Sequence, residues 1–309
     1  MNYQWYPGHM TKAKRMMQEN IKLIDLIIEL VDARIPLSSR NPDIDELGKN
    51  KSRIVLLNKS DLADPVWNKK WVQYFESKGA HVLEINSKTG AGVKSIQGLV
   101  QEACREKIER DRKRGIVNRP VRAMVVGIPN VGKSTFINSF AGKACAKTGN
   151  KPGVTKGKQW IRLNKNLELL DTPGILWPKF EDQMVGRNLA FIGSMNDEVI
   201  IMEELACDLL KVINELYPKA IDHRYRDKDA QTHETVTLGD CVLQEPATQG
   251  HCHTQDPVRQ LHDIARSRMC YSKGEELDIE KAASILIDDF RSGKLGRMTF
   301  ERVGESKDE

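Results

Sequence analysis

The stretch "GIPNVGKSTF", Gly127 to Phe136, decides the fold. Gly127, Gly132, Lys133 and Ser134 occupy the fixed positions of G-x-x-x-x-G-K-[ST]. Glycines let backbone N–H groups curl around phosphates, the lysine reaches the β and γ groups, and the serine hydroxyl binds Mg²⁺. The context is right as well. "VRAMVVG" (Val121 to Gly127) is a short apolar strand running into the loop, and "KSTFINSFAG" continues as a helix ended by Gly142.

A second motif stands on the wrong side of the first. "LLNKSD" (Leu56 to Asp61) has the form of a guanine-binding loop, and it precedes the phosphate loop instead of following it. Four polar residues after a strand are common in turns. The chemistry of this set is nevertheless specific. The Asp61 carboxylate can accept from guanine N1–H and from the exocyclic amine, a donor pair that adenine lacks. Asn58 holds the loop and contacts the base, and the Lys59 stem covers its face. "NSKTG" (Asn86 to Gly90) follows the next strand, so Asn86, Ser87 and Lys88 are expected at the base, with a backbone amide meeting the guanine oxygen.

"DTPG" (Asp171 to Gly174) follows the strand "LELL". Asp171 is expected to hold Mg²⁺ through water, and the Gly174 amide to contact the γ-phosphate. Thr155, in "KPGVTKG", lies between the two elements and is the candidate switch threonine on Mg²⁺. The expected phosphate and metal set is therefore Asn130, Val131, Gly132, Lys133, Ser134, Thr135, Thr155, Asp171 and Gly174, with Lys133, Thr155 and Gly174 closest to catalysis. Every part of a GTPase is present in the order guanine loop, "NSKTG", phosphate loop, switch threonine, "DTPG". Chain ends that lie close together can be joined and a new opening made elsewhere without changing the three-dimensional site. That predicts an α/β fold: a circularly permuted Ras-like P-loop GTPase domain.

The rest of the chain agrees. "LIIELVDAR", "RIVLLNKSD" and "HVLEINSKTG" are apolar strands. "PVWNKKWVQYFESKG" is a helix capped by Asp64, with Val66, Trp71 and Phe75 on one face. "VKSIQGLVQEACREKIERDRKR" is one long helix, and "KQWIRL" and "LELLDTPG" are neighbouring strands. This alternation implies a sheet with helices on its faces. After about residue 180 strand signals fade, and helical spacing takes over in "EVIIMEELACDLLKVINELY", Pro257 to Cys270 and "LDIEKAASILIDDFRSGKL". The division expected is 1–180 for the GTPase domain and 181–309 for a helical domain. The polar stretch from Asp227 to Pro257 is assigned no structure.

Composition bounds the partners. The 309 residues carry a formal charge of +5, with 39% hydrophobic and 29% charged residues. The most apolar run, "LIDLIIELV", contains Asp25 and Glu29 and is too short for a bilayer. "MNYQWYPGHM" lacks the pattern of a secretory signal. Six scattered cysteines point to reduced thiols in the cytoplasm. "KAKR" (Lys12 to Arg15) and "REKIERDRKRG" (Arg105 to Gly115) concentrate positive charge; the readings are a phosphate-backbone contact or a solvated helix face. His251, Cys252 and His253 lack the loop spacing of zinc ligands, so no metal site is expected there. His9, in "WYPGHM", can orient water or move a proton, or it can cap, pack or contact RNA.

The permuted order, "WYPGHMTKAKR", "GIPNVGKST", "LLDTPGILWPKFED" and "DFRSGKLGRMTFE" together resemble the ribosome biogenesis GTPase A family (YlqF/RbgA), over most of the chain. The segment "LGDCVLQEPATQGHCHTQDP" departs from it by its length. The resemblance implies a cytoplasmic factor that hydrolyses GTP to GDP and phosphate late in assembly of the large ribosomal subunit. Its partners would be the subunit precursor and its rRNA; a monomer with no membrane attachment is expected. It also marks Asn130 as the asparagine that coordinates K⁺ beside the phosphates in similar GTPases; the alternative is a residue that only stabilises the loop. Ile175 stands where Ras-like proteins commonly place a water-orienting glutamine, so slow unassisted turnover is expected. A helical domain that follows the "DTPG" switch directly should respond to nucleotide, with Arg291, Lys294 and Arg297 reading the state as RNA affinity. Removing residues after about 185 is expected to leave GTP binding largely intact.

Overall fold

The computed structural model describes residues 9–116, 119–145, 159–172, 174, 176, 180, 182–225 and 256–304, leaving aside the side chains of residues 9, 10, 12, 13 and 159. The elements of its first part run α1 (His9–Asn20), β1 (Leu26–Asp32), α2 (Asp43–Leu47), β2 (Ser52–Asn58), α3 (Pro65–Ser77), β3 (His81–Ile85), α4 (Ile96–Ala103), α5 (Arg105–Lys113), β4 (Val121–Val126), α6 (Lys133–Ala141), β5 (Gln159–Arg162), β6 (Leu167–Asp171) and α7 (Gln183–Phe191). Then come α8 (Met202–Leu216), α9 (Ala220–Tyr225), α10 (Pro257–Ser267) and α11 (Ile279–Arg291).

The strands form one sheet in the order β3-β2-β1-β4-β6-β5. All pairings are parallel except β5 with β6. β1 is buried along its whole length, as a central parallel strand covered on both faces must be. α3 and α4 pack on β2 and β3, and α6 packs on β6. The carboxyl ends of β1, β2, β3, β4 and β6 all point to one edge, so the loops that follow them gather there whatever their order in the chain. That is how a permuted sequence keeps one site.

Local expectations are met with instructive differences. Asp64 caps α3, accepting from Val66 N at 2.9 Å, and Trp71 and Phe75 are buried. Val66 is exposed and does not share their face. The single long helix expected after "NSKTG" is broken at Cys104 into α4 and α5. Apolar spacing ends there, so α5 has no buried residue to hold it in line with α4.

The chain divides into two compact units, Met1–Ile200 with Gly296–Glu309, and Ile201–Leu295. The boundary expected at 180 thus falls at 200, and the last segment returns to the first unit. Met298 N donates to Leu62 O, and Phe300 N to Arg34 O. Glu301 is buried and accepts from Leu37 N at 2.6 Å, from Ser38 N at 2.9 Å and from the Ser38 hydroxyl. The Glu301 carbonyl accepts from Trp71 Nε1. A chain cut near 185 loses all of these contacts, although every nucleotide motif lies upstream of the cut.

In the second unit, α8 buries Leu205, Ala206, Leu209, Leu210 and Ile213, and α11 buries Ala282, Ala283, Leu286, Ile287 and Phe290. These stripes pack together, with α10 against both helices. Asp289 gathers Arg224 at 2.8 Å, Lys294 at 3.2 Å and the Tyr225 hydroxyl at 3.1 Å. Arg297 lies beyond this unit, in the returning segment. No described helix is long and apolar enough to cross a membrane.

Candidate nucleotide site

The phosphate loop links β4 to α6. Gly132 adopts φ 102°, a left-handed conformation, and a Cβ on it would lie 2.5 Å from Asn58 Nδ2. Only glycine lets the two motifs come this close. Asn58, at the end of β2, uses both ends of its amide. Its Nδ2 donates to Val131 O at 2.7 Å; its Oδ1 accepts from Ser87 N at 3.0 Å and from Ser87 Oγ at 2.8 Å. One buried side chain therefore joins the guanine loop, the "NSKTG" loop and the phosphate loop. Lys59 adds a second link, donating to Asn130 O at 3.1 Å and pairing with Asp32 at 3.0 Å.

Asp32 was not singled out from the sequence. It is fully buried at the end of β1 and accepts from Arg34 Nε and Nη2, both at 2.8 Å. Burial alone would raise its carboxyl; Arg34 and Lys59 together hold it well below the ordinary range. Two acidic–basic neighbours in "VDAR" were the available signal, hidden by their resemblance to an ordinary strand exit.

Asp61 is exposed at the rim, where a carboxylate can meet a base. The amides of the "NSKTG" loop are committed inward. Lys88 N and Thr89 N donate to Asn86 Oδ1, and Ser87 N to Asn58. The expected backbone amide for the guanine oxygen is thus spent within the loop in this conformation. Asn86 shapes the turn.

The phosphate end is built differently. Lys133 is buried, and its Nζ donates to Gly127 O at 3.0 Å and Ile128 O at 2.8 Å, carbonyls of its own loop. Burial lowers it to about 8, with Asp171 acting in the opposite direction. Burial raises Asp171 to about 6, opposed by Lys133. Asp171 Oδ1 is buried without a hydrogen-bond partner among the described residues. Such an oxygen costs free energy unless a cation or water completes it. The donor set suits a hydrated Mg²⁺: a carboxylate here and the Ser134 hydroxyl at the first turn of α6. Thr172 Oγ1 donates to Val125 O at 2.7 Å and fixes "DTPG" to β4. Gly174 sits against the loop, where a Cβ would lie 2.8 Å from Lys133 Nζ and from Pro129 Cα.

Asn130 has φ 57°, and its Nδ2 donates to Gly193 O at 2.6 Å. A carbonyl can be met only by the amide's nitrogen, so this bond sets which end of the side chain is which. Val131 and Thr135 occupy the loop and the first turn of α6 as expected. Thr155, Ile175 and the 251–253 cluster lie outside the described residues, and His9 is described only as the start of α1.

Comparison with known proteins agrees with this geometry. Residues 122–237 match the family model of the 50S ribosome-binding GTPase. Ribosome biogenesis GTPase A of Bacillus cereus is 44% identical over 305 residues, covering 99% of this chain and 95% of that protein. The GNP-bound crystal structure of YlqF from Thermotoga maritima superposes with a TM-score of 0.63 at 26% identity, over 94% of this chain and 98% of that one. The GDP-bound form gives 0.63 at 25% identity, over 94% and 99%. An α/β sheet with a phosphate loop at its carboxyl edge and every GTPase motif in permuted order, together with this likeness along nearly the whole length, means that the chain belongs to the ribosome biogenesis GTPase A family of circularly permuted GTPases.

Proposed function

We propose that this GTPase is a cytoplasmic switch in late assembly of the large ribosomal subunit, binding the precursor particle and its rRNA as a monomer. The observation that carries the nucleotide part is a buried Lys133 turned onto its own loop carbonyls, with a buried Asp171 oxygen that has no hydrogen-bond partner among the described residues, at the carboxyl edge of the sheet. The ribosomal part rests on the names of its relatives.

In this reading Lys133 leaves its loop carbonyls for the β- and γ-phosphates, and the loop amides through Thr135 cradle them. Ser134, Asp171 and Thr155 hold Mg²⁺, which neutralises charge on the phosphate oxygens when bound. The Gly174 amide meets the γ-phosphate. Asp61 reads the guanine edge, Lys59 covers the base, and Asn58 with Asn86, Ser87 and Lys88 keeps the reading loop in register. Asn130 would hold K⁺ through its carbonyl oxygen, and a cation bound there would supply positive charge beside the phosphates of the kind an arginine finger supplies. His9 is assigned the water-orienting role that Ile175 cannot fill.

The test is GTP turnover with and without large-subunit particles, in K⁺ and in Na⁺. Stimulation by particles is expected, with tighter particle association for a non-hydrolysable GTP analogue than for GDP, weakening as salt rises. Equal particle affinity with both nucleotides would sink the switch. Equal turnover in the two salts would remove K⁺ from it.

A further inference from the structure

The helical unit is spliced into the GTPase unit by two connections. The outgoing one leaves α7 and passes through Gly193 and Ser194 before Ile201. Ser194 is fully buried and donates from Oγ to Pro129 O at 2.8 Å, while Gly193 O accepts from Asn130 Nδ2 at 2.6 Å. The returning connection starts at Gly296. There Met298 N donates to Leu62 O, Thr299 Oγ1 accepts from Asp64 N at 3.1 Å, and Phe300 N donates to Arg34 O at 2.8 Å.

From that point a continuous polar chain crosses the site. Arg34 holds Asp32, Asp32 pairs with Lys59, and Lys59 donates to Asn130 O. Both routes therefore end on Asn130, one on its side-chain amide and the other on its main-chain carbonyl. α7, from which the outgoing connection starts, also touches the returning one. Phe191 and Phe300 meet edge to face at 5.8 Å, and Asn188 Nδ2 lies 3.4 Å from Glu301 Oε1. Asn130 itself sits at φ 57°, a left-handed conformation that asparagine adopts more readily than most residues, and both of its anchored groups lie on that turn.

We propose that Gly193–Ser194 and Gly296–Glu301 are positioning elements that set Asn130, so that whatever holds the helical unit also tunes the cation-binding face of the phosphate loop. This rests on the reading of Asn130 as a K⁺ ligand. A partner that prefers one geometry of these connections must change cation and nucleotide affinity by the same factor that they change its own. Contiguity alone is not coupling, so the test must measure coupling directly.

The experiment uses the full-length protein as wild type, Ser194→Ala, Glu301→Gln and the double variant. Dissociation of a fluorescent GTP analogue is followed as K⁺ replaces Na⁺ at constant ionic strength, alongside amide hydrogen exchange at 127–134 and thermal midpoints. Each single variant should raise the half-effective K⁺ concentration by roughly fivefold and speed exchange at 127–134. The double variant should fall short of the product of the two, because both routes end on one residue. A merely structural loss would lower the midpoint and speed exchange throughout without moving the K⁺ half-point. That result, an unchanged half-point and loop exchange in both variants, or fully multiplicative effects would each overturn the proposal. If wild type does not distinguish K⁺ from Na⁺, the cation reading fails by itself. Loop exchange in the variants then still decides whether the connections position Asn130.

Discussion

The two ends of the nucleotide site are built on opposite principles. At the guanine end polar groups answer one another before any ligand is considered: Asn58 to Val131 and Ser87, Asn86 to Lys88 and Thr89, Lys59 to Asp32 and Asn130. At the phosphate end charges are buried and badly matched. Lys133 turns on its own loop carbonyls, and Asp171 keeps an oxygen without a partner among the described residues. A prebuilt end gives specificity, because it holds the Asp61 loop in one geometry, where a base without the matching donor pair leaves the carboxylate unpaired. A mismatched end gives responsiveness, because its free energy falls only when phosphate and metal arrive. The switch and the selector are therefore separable by mutation.

The largest effect should come from the selector. Asp61→Asn replaces a carboxylate that accepts from two donors with an amide offering one acceptor and a mismatched donor. GTP affinity should fall roughly 10³-fold or more, and xanthosine triphosphate should bind better than it does to wild type, since xanthine carries a carbonyl in place of the amine. Asp61 is exposed, so the thermal midpoint should hardly move. Competition binding with the two nucleotides checks this. Unchanged GTP affinity would break the comparison at its firmer end.

The next effect tests whether the selector is prebuilt by the returning segment. Glu301→Ala leaves a half-buried Leu37 N and a buried Ser38 N without their acceptor. Two such donors should cost about 3 kcal/mol of stability, measured by urea unfolding. Truncation after Leu295 should cost more, because Trp71 Nε1, Leu62 O and Arg34 O also lose partners. GTP affinity should fall with it although no nucleotide motif is removed. If the truncated protein binds GTP as well as the whole chain, the guanine end stands without this support.

Those contacts mark the limit of what the sequence disclosed. The phosphate loop, "NKSD", "DTPG" and the strands carrying them were legible because each depends on residues within a few positions: glycine at a left-handed turn, a polar cluster after an apolar run. The permuted order was legible for the same reason. Glu301 was not, since its partners Leu37 and Ser38 lie at the other end of the chain and its own segment has no periodic pattern. Gly193 and Ser194 belong to no motif, and their partners Asn130 and Pro129 lie far back in the chain. Asp32 was read as strand. The break at Cys104 is hidden in the sequence because helix propensity continues through it while burial does not. The site's parts were thus local and visible; what ties them to the helical unit is long-range and was not.

The smallest effect concerns the responsive end and follows from the protonation of Asp171. Burial raises its carboxyl to about 6 in the protein, against an ordinary value of 3.8. Between these values the folded state binds more protons than the unfolded one, so this group's contribution to stability falls as pH rises through the window. Metal binding has the opposite sign, because Mg²⁺ held through water needs the carboxylate. Nucleotide affinity in the presence of Mg²⁺ should therefore be near its full value at pH 7 and fall as pH drops below 6, by about tenfold at pH 5 relative to the ionised limit. Without Mg²⁺ that component should vanish. Asp171→Asn cannot titrate, so it should bind Mg²⁺–nucleotide weakly at every pH, and any slope that remains belongs to other groups, the phosphates at the acid end and Lys133 near pH 8. Isothermal titration of GDP from pH 5 to pH 8, with and without Mg²⁺, separates the two. A Mg²⁺-dependent slope of equal size in wild type and Asp171→Asn would mean that the orphaned oxygen is not the metal's partner. The phosphate end would then owe its responsiveness to Lys133 alone.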